Sequence, residues 1–266
     1  AERINDIFSE KPLVVENARA SDVRFDRGTI ALEHVTFGYR MPDDVICDMS
    51  FVIQGGKYTA LVGLSGNGKT TLINLIARIH DPHKGRILID GYDSRCVTHT
   101  SLRSQLSVAL QNPYLFHATI AHNISLFDSS IMPDDIAAIA ALCDVDAIIR
   151  QLPEGYATVV GDDGCRLSEG QKQKIALARA IIRRPRILIL DEAMSHMDSV
   201  AEERILHNIR IELPTSTILV VSHRWSTVQK ADYVYCIESP RCIVGGTVEQ
   251  LLKTNKAFAD LFTAQR

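Results

Sequence analysis

Two short stretches combine residue types and spacing that suit phosphate chemistry. Gly63-Leu64-Ser65-Gly66-Asn67-Gly68-Lys69-Thr70 follows the order G-x-x-x-x-G-K-[ST]. Its glycines let the main chain bend until the N–H groups of the loop, Ser65 and Asn67 included, converge on one point. The helix expected after it, starting at Lys69, Thr70 and Thr71, turns its positive end to the same point. Such a nest suits a polyphosphate. Lys69 has the reach for β- and γ-phosphates, and the Thr70 hydroxyl is placed to ligate Mg²⁺. In the second stretch the apolar run Ile187–Leu190 ends in Asp191-Glu192. Ligands collect at the carboxyl ends of parallel strands. Asp191 is therefore placed to hold Mg²⁺, directly or through water, and Glu192 to polarise an attacking water. Alone, this pair reads equally well as a strand-ending turn. Beside the glycine loop it reads as the second half of a nucleotide site.

These groups need strands that end together. Apolar residues alternate at Ile30, Leu32, Val35 and Phe37, the pattern of a strand with one buried face. Tyr58–Val62 leads into the glycine loop, and Leu72, Leu75, Ile76 and Ile79 keep helical spacing behind it. Arg86–Ile89 reads as a strand closed by the turn Asp90-Gly91, and Leu106–Leu110 as another closed by Gln111-Asn112-Pro113. From Tyr114 to about Ile182 the texture turns helical, over Ile136–Leu142, Val145–Leu152 and Gln171–Ile182. Strand signals return at Ile187–Leu190 and Ile218–Val221, with a helix from about Val200 to Ile211 between them. Short continuous apolar strands alternating with helices predict a parallel sheet covered on both faces. The expected layout is a lead-in over residues 1–22 and one α/β domain over 23–266. Its core comprises 23–112 and 183–266, fronted by antiparallel strands, with a helical subdomain inserted at 113–182.

Composition narrows the classes. A net charge of −3 lacks the basic excess of a chain built to grip nucleic acid. The six cysteines show neither C-x-x-C nor zinc spacing and read as small buried hydrophobes in a reducing compartment. No apolar run reaches the ~18 residues of a membrane span, and the N-terminus has no signal-peptide core. The expectation is a cytosolic, soluble piece.

Leu167-Ser168-Glu169-Gly170-Gln171, just before a long helix, narrows the reading further. It resembles the signature sequence L-S-G-G-Q of ABC ATPases, and with it the resemblance extends from about Thr29 to Leu252. The resemblance implies a P-loop NTPase (RecA-like) core, with Ser168, Gly170 and Gln171 closing on the γ-phosphate of ATP held by a second copy. Tyr39 resembles the aromatic that stacks on adenine, and Gln111 the glutamine that touches Mg²⁺ and the attacking water. His223 resembles the histidine that contacts the γ-phosphate, and Ser195 and Asp198 the loop crossing the dimer interface. Residues Leu115-Phe116, Thr119-Ile120 and Asn123-Ile124 resemble the surface of exporters that meets the membrane domain. Tyr156–Arg166 and the opening Ala1-Glu2-Arg3-Ile4 also resemble exporters. The resemblance thus implies an Mg²⁺-dependent ATPase partnered by a second nucleotide-binding domain, identical or related. It also implies a transmembrane domain of the same transporter, a place on the cytoplasmic face of a membrane, and no nucleic-acid partner.

Some positions depart from the pattern. Glu169 replaces a glycine and sets a carboxylate near a γ-phosphate, which repels unless it turns outward or meets a cation. Asp162 stands where exporters often carry glutamate, and His196 and Met197 occupy the loop after Glu192. A soluble ABC ATPase acting on DNA or ribosomes is the alternative. The coiled coils, zinc hooks or tandem domains common in that class are not visible in the sequence.

Overall fold

A computed structural model of the chain describes residues 12–40, 42–161, 167–263 and 265. The segments 1–11 and 162–166 lie outside the described residues. They include the exporter-like opening, Asp162, and the end of Tyr156–Arg166.

The chain opens with β1 (Ile30–Phe37), β2 (Ile46–Ile53), β3 (Tyr58–Gly63), α1 (Lys69–Ile76) and β4 (Lys84–Ile89). Next come the short β5 (Tyr92–Asp93), α2 (His99–Gln105) and β6 (Leu106–Ala109). A helical stretch follows, with β7 (Ala118–Thr119), α3 (Ile120–Ser125), α4 (Pro133–Leu142), α5 (Asp146–Ile149), β8 (Val159–Val160) and α6 (Glu169–Ile181). The chain then returns to the sheet through β9 (Ile187–Asp191), α7 (Ser199–Glu212) and β10 (Thr217–Val221). It ends with α8 (Trp225–Val228), β11 (Tyr233–Ser239), β12 (Cys242–Gly246), α9 (Val248–Thr254) and α10 (Lys256–Phe262).

The central sheet runs β12-β11-β3-β10-β9-β6, parallel except at the β12 edge, and β2-β1-β4-β5 form a separate antiparallel sheet. Strand alternation divides the core between the two faces of the central sheet. Leu188, Leu190, Ile218 and Val220 pack with Ile120, Ile139, Ile175 and Ile205 from the helical side. Ile187, Ile189, Leu219 and Val221 point the other way, toward α1 and the antiparallel strands. Both faces are apolar because both are covered, hence the unbroken runs in β9 and β10.

The α/β class, with antiparallel strands in front and helices between β6 and β9, agrees with the sequence reading. Several boundaries differ. The helix after the glycine loop stops at Ile76, because Arg78 takes a left-handed φ of 52° and leaves Ile79 exposed. The helix expected over Val145–Leu152 shrinks to one turn at Asp146–Ile149. β2, β11, β12 and the closing helices were not anticipated. Among the described cysteines all are free; Cys143 and Cys236 are buried as expected, whereas Cys96 is exposed.

Candidate functional site

The glycine loop leaves β3 at Gly63 and enters α1 at Gly68. Gly63, Gly66 and Gly68 have φ of 148°, 87° and 85°. At Gly63 a Cβ would sit 2.5 Å from the Ile237 carbonyl, so the loop crosses β11 where no side chain fits. The Asn67 side chain is directed away from the nest. Its Nδ2 donates to the carbonyls of Ile237 (3.0 Å) and Glu238 (3.1 Å), bracing the loop on β11. Its N–H is bonded to the Leu64 carbonyl at 3.3 Å, so Asn67 braces the loop. Lys69 is buried and folds back, its Nζ donating to the Gly63 (2.7 Å) and Leu64 (2.9 Å) carbonyls.

An open cleft of ≈ 430 Å³ forms over this loop, lined by Tyr39, Ser65, Gly66, Gly68, Lys69, Thr70, Thr71 and Glu192. Tyr39, at its rim, is 53% exposed. Its ring meets Phe37 edge-on at 5.2 Å and His80 at 5.4 Å, and its hydroxyl accepts from Asn74. The ring is held by its neighbours while one flank stays open, as a stacking surface requires.

Charge is concentrated under the loop. Asp191 is buried at the end of β9. Burial and the neighbouring Glu192 charge raise its pKa above the ordinary carboxylate value, with Thr70 and Lys69 opposing. Burial likewise pulls Lys69 below the usual lysine value, with Glu192 and Asp191 opposing. Glu192 turns out of the strand with a left-handed φ of 48°, its N–H bonded to the Val221 carbonyl at 3.1 Å. That turn aims the carboxylate at His223, whose Nε2 lies 3.0 Å from Oε1. Among the described residues no cluster of three or more His, Cys, Asp or Glu is disposed to hold a metal. Asp191 and Thr70 are hard oxygen donors, suited to an Mg²⁺ that takes most of its ligands from phosphate and water.

Ser168, Gly170 and Gln171 do not line this cleft. They form the start of α6 as a capping box, in which Ser168 Oγ accepts from Gln171 N–H (3.3 Å) and Gln171 Oε1 from Ser168 N–H (2.8 Å). A Cβ on Gly170 would meet the His196 carbonyl at 2.8 Å, so glycine lets the helix start touch the loop after Glu192. Glu169 pairs with Lys172 at 3.0 Å; a cation one turn away answers the carboxylate. Gln111 is exposed beyond β6 and does not line the cleft either. Of the departures at 196–197, Met197 is buried in the core and His196 is exposed.

The surface read as facing a membrane domain is half core. Leu115, Ile120 and Ile124 are buried, whereas Leu110, Tyr114, Phe116 and Phe127 are 40–58% exposed. Sequence reasoning missed Gln173, Arg179 and Arg224. Arg179 knits Asn123 and the Tyr114 carbonyl to α6. The signal for Gln173 was a polar residue on the apolar stripe that continues through Ala176, Leu177 and Ala180.

The ABC transporter family model matches residues 46–195, more than half of the chain. The chain is 41% identical over 252 residues to the "Heavy metal tolerance protein" of Schizosaccharomyces pombe, covering 95% of this chain and 30% of that protein. It is 42% identical over 225 residues to the "Heterocyst differentiation ATP-binding protein HepA" of Nostoc, covering 85% of this chain and 37% of that one. Among solved structures, a bacterial Atm1-family ABC exporter with ATP bound superposes with a TM-score of 0.94 at 32% identity, covering 99% of this chain and 47% of the exporter. The chain therefore spans less than half the length of these relatives. It belongs to the ABC transporter family, as a nucleotide-binding domain of the exporter type.

Proposed function

We propose that the chain hydrolyses ATP at the cleft over the glycine loop, and that two such domains close on two nucleotides to drive an exporter. One observation carries this reading: Lys69, Thr70, Asp191, Glu192 and His223 converge at the ends of β3, β9 and β10, whereas the Ser168 helix start stands outside that cleft. Adenine would stack on Tyr39. The N–H groups of the nest and the dipole of α1 would take the phosphates, with Lys69 exchanging a carbonyl partner for a phosphate oxygen. Asp191, Thr70 and Gln111 would hold Mg²⁺, which neutralises phosphate charge when bound. Glu192 would accept the proton of the attacking water, and His223, 3.0 Å from that carboxylate, would hold it in place before turning to the γ-phosphate. In the dimer, Ser168, Gly170 and Gln171 of the neighbour would complete the site.

No helix among the described residues is long and apolar enough to cross a membrane. A transmembrane domain would dock on the exposed Leu110, Tyr114 and Phe116, beside a groove also lined by Arg103 and Arg183. Docked there, the chain would lie on the cytoplasmic face of a membrane. The decisive experiment is Glu192→Gln. It should keep ATP binding, lower turnover by about 10²–10⁴-fold and leave an ATP-loaded dimer in size-exclusion chromatography. Turnover equal to that of the unmodified chain would refute the assigned base.

A further inference from the structure

We infer that Gln173 and Arg224 are positioning residues that fix the 193–198 loop from opposite sides, tying Gln111 to the Glu192–His223 pair. The inference rests on the hydrolysis reading above, because its consequence is read in turnover.

The loop has a weak hold of its own. Two short turns shape it, Ser195 N–H to Glu192 O and Met197 N–H to Met194 O, both at 3.1 Å. Ala193, Met194 and Met197 anchor its underside in the core. The same residues Ala193 and Met194 also border a cavity of ≈ 120 Å³, lined further by Glu192, Ser195, Glu202, His223 and Arg224, so packing alone does not set the loop's height.

Polar bonds from outside the loop set it instead. Gln173, on α6, is 1% exposed and uses its whole amide. Its Oε1 accepts from His196 N–H at 3.1 Å, which fixes which end of the amide carries the hydrogens. Nε2 then donates to the Gln111 carbonyl at 2.8 Å, and faces His196 Nδ1 at 2.9 Å and Ser195 Oγ at 3.2 Å with its second hydrogen. The geometry requires a donor and an acceptor at the end of a three-carbon arm. Glutamate would lose the donors, and asparagine would fall short.

Arg224 supplies the other clamp. It donates to the Met197 and Ser195 carbonyls, each at 2.8 Å, and pairs with buried Glu202 at 2.5 Å. Glu202 in turn accepts from the Thr227 hydroxyl. Arg224 follows His223 directly in sequence, so the loop's height and the histidine's position share one piece of backbone. Gln111, the 193–198 loop and His223 are far apart in sequence, and these two side chains join them into one polar frame. Neither Gln173 nor Arg224 lines the glycine-loop cleft.

The test is steady-state ATP hydrolysis by the purified chain carrying Gln173→Met or Arg224→Lys. Gln173→Met should lower kcat about tenfold or more, with KM for MgATP changed less than twofold, because the loop and not the cleft is loosened. Arg224→Lys keeps the charge beside Glu202 but loses one carbonyl; it should lower kcat about threefold at constant KM and guards against a misfolded methionine variant. Combining the two should cost less than the product of the single effects, since both act on one loop. Unchanged kcat in either folded variant, a rise in KM matching the fall in kcat, or strictly multiplicative effects would overturn the inference. An inactive unmodified chain would instead sink the hydrolysis reading. Hydrogen exchange then decides separately: Gln173→Met should speed exchange at the His196 amide at least tenfold, and unchanged protection there would overturn the clamp.

Discussion

The glycine loop and the start of α6 are both helix N-termini with polar residues around them, yet they are built on opposite terms. At the loop, three left-handed glycines, a buried lysine and a buried carboxylate sit together, and burial works against both charges. The Lys69 ammonium donates to the carbonyls of its own loop. This is an arrangement whose electrostatics improve when a polyanion and a cation arrive. At α6 the capping box satisfies Ser168 and Gln171 between themselves, and Glu169 has its lysine. Under the proposed function the first site would hold a ligand alone, whereas the second would offer a hydroxyl proton and the Glu169 and Gly170 N–H groups, which helix geometry leaves without intrahelical partners. A weak, exposed donor set fits a surface that acts only once a nucleotide is presented to it.

Two substitutions sharpen this contrast. The larger effect belongs to the loop. Lys69→Ala should weaken binding of ATP to the single chain and lower turnover by about 10²–10³-fold, as removal of one charged donor from a developing oxyanion does. Equilibrium dialysis with ATP and a turnover assay measure both, and wild-type affinity would remove the loop from the account. Ser168→Ala should behave differently. ATP affinity of the single chain stays within twofold, while dimer formation and turnover fall about 10–100-fold, the value of one hydrogen bond to a charged group. Loss of the helix cap costs about 1 kcal/mol on its own, so unfolding should be recorded alongside. If Ser168→Ala weakened single-chain binding as much as Lys69→Ala, the two regions would form one site and the contrast would fail.

How much of this was legible in the sequence follows from how local each signal is. The glycine loop is a contiguous pattern whose physics is complete within eight residues, and it lies where the sequence put it, over a parallel sheet. Its members do not all face inward: Asn67 braces β11, a strand that gave no warning of itself. Glu192 and His223 were named from their strand ends, but their direct 3.0 Å pairing depends on two neighbouring strands ending level, which no single segment encodes. Gln173 looked like any polar residue on a helix, because its partners come from loops on either side of it in sequence. The Leu115–Ile124 stretch mixes two roles. It buries Leu115, Ile120 and Ile124 and turns Phe116 outward beside Leu110 and Tyr114, a division that the sequence pattern does not display.

The smallest expected effect on chemistry, and the one that tests whether the scaffold and the site are separable, lies at Asp90. In the sequence it was half of a turn signal; in the fold it closes β4 and gathers four main-chain donors. Oδ2 accepts from the N–H groups of Asp26, Arg27 and Gly28 at 2.8–3.0 Å, and Oδ1 from Thr29 at 2.8 Å. Thr217 Oγ1 donates to the Gly28 carbonyl at 2.8 Å, so this turn ties the antiparallel sheet to β10 of the central one. Burial alone would raise the Asp90 pKa, but the four N–H donors outweigh it and hold it below the ordinary value of 3.8. The folded pKa lies below the unfolded one, so the stabilisation is complete above about pH 4 and fades as pH falls through the folded value. Asp90→Ala should therefore lower stability by about 2 kcal/mol at pH 7, a figure reduced for the partial exposure of the turn, and by less at pH 3. Urea titrations at the two pH values give the difference, and kcat at 25 °C should stay within twofold. A kcat that fell tenfold in a folded Asp90→Ala chain would mean the antiparallel sheet takes part in setting the cleft, and the separation drawn between scaffold and site would not hold.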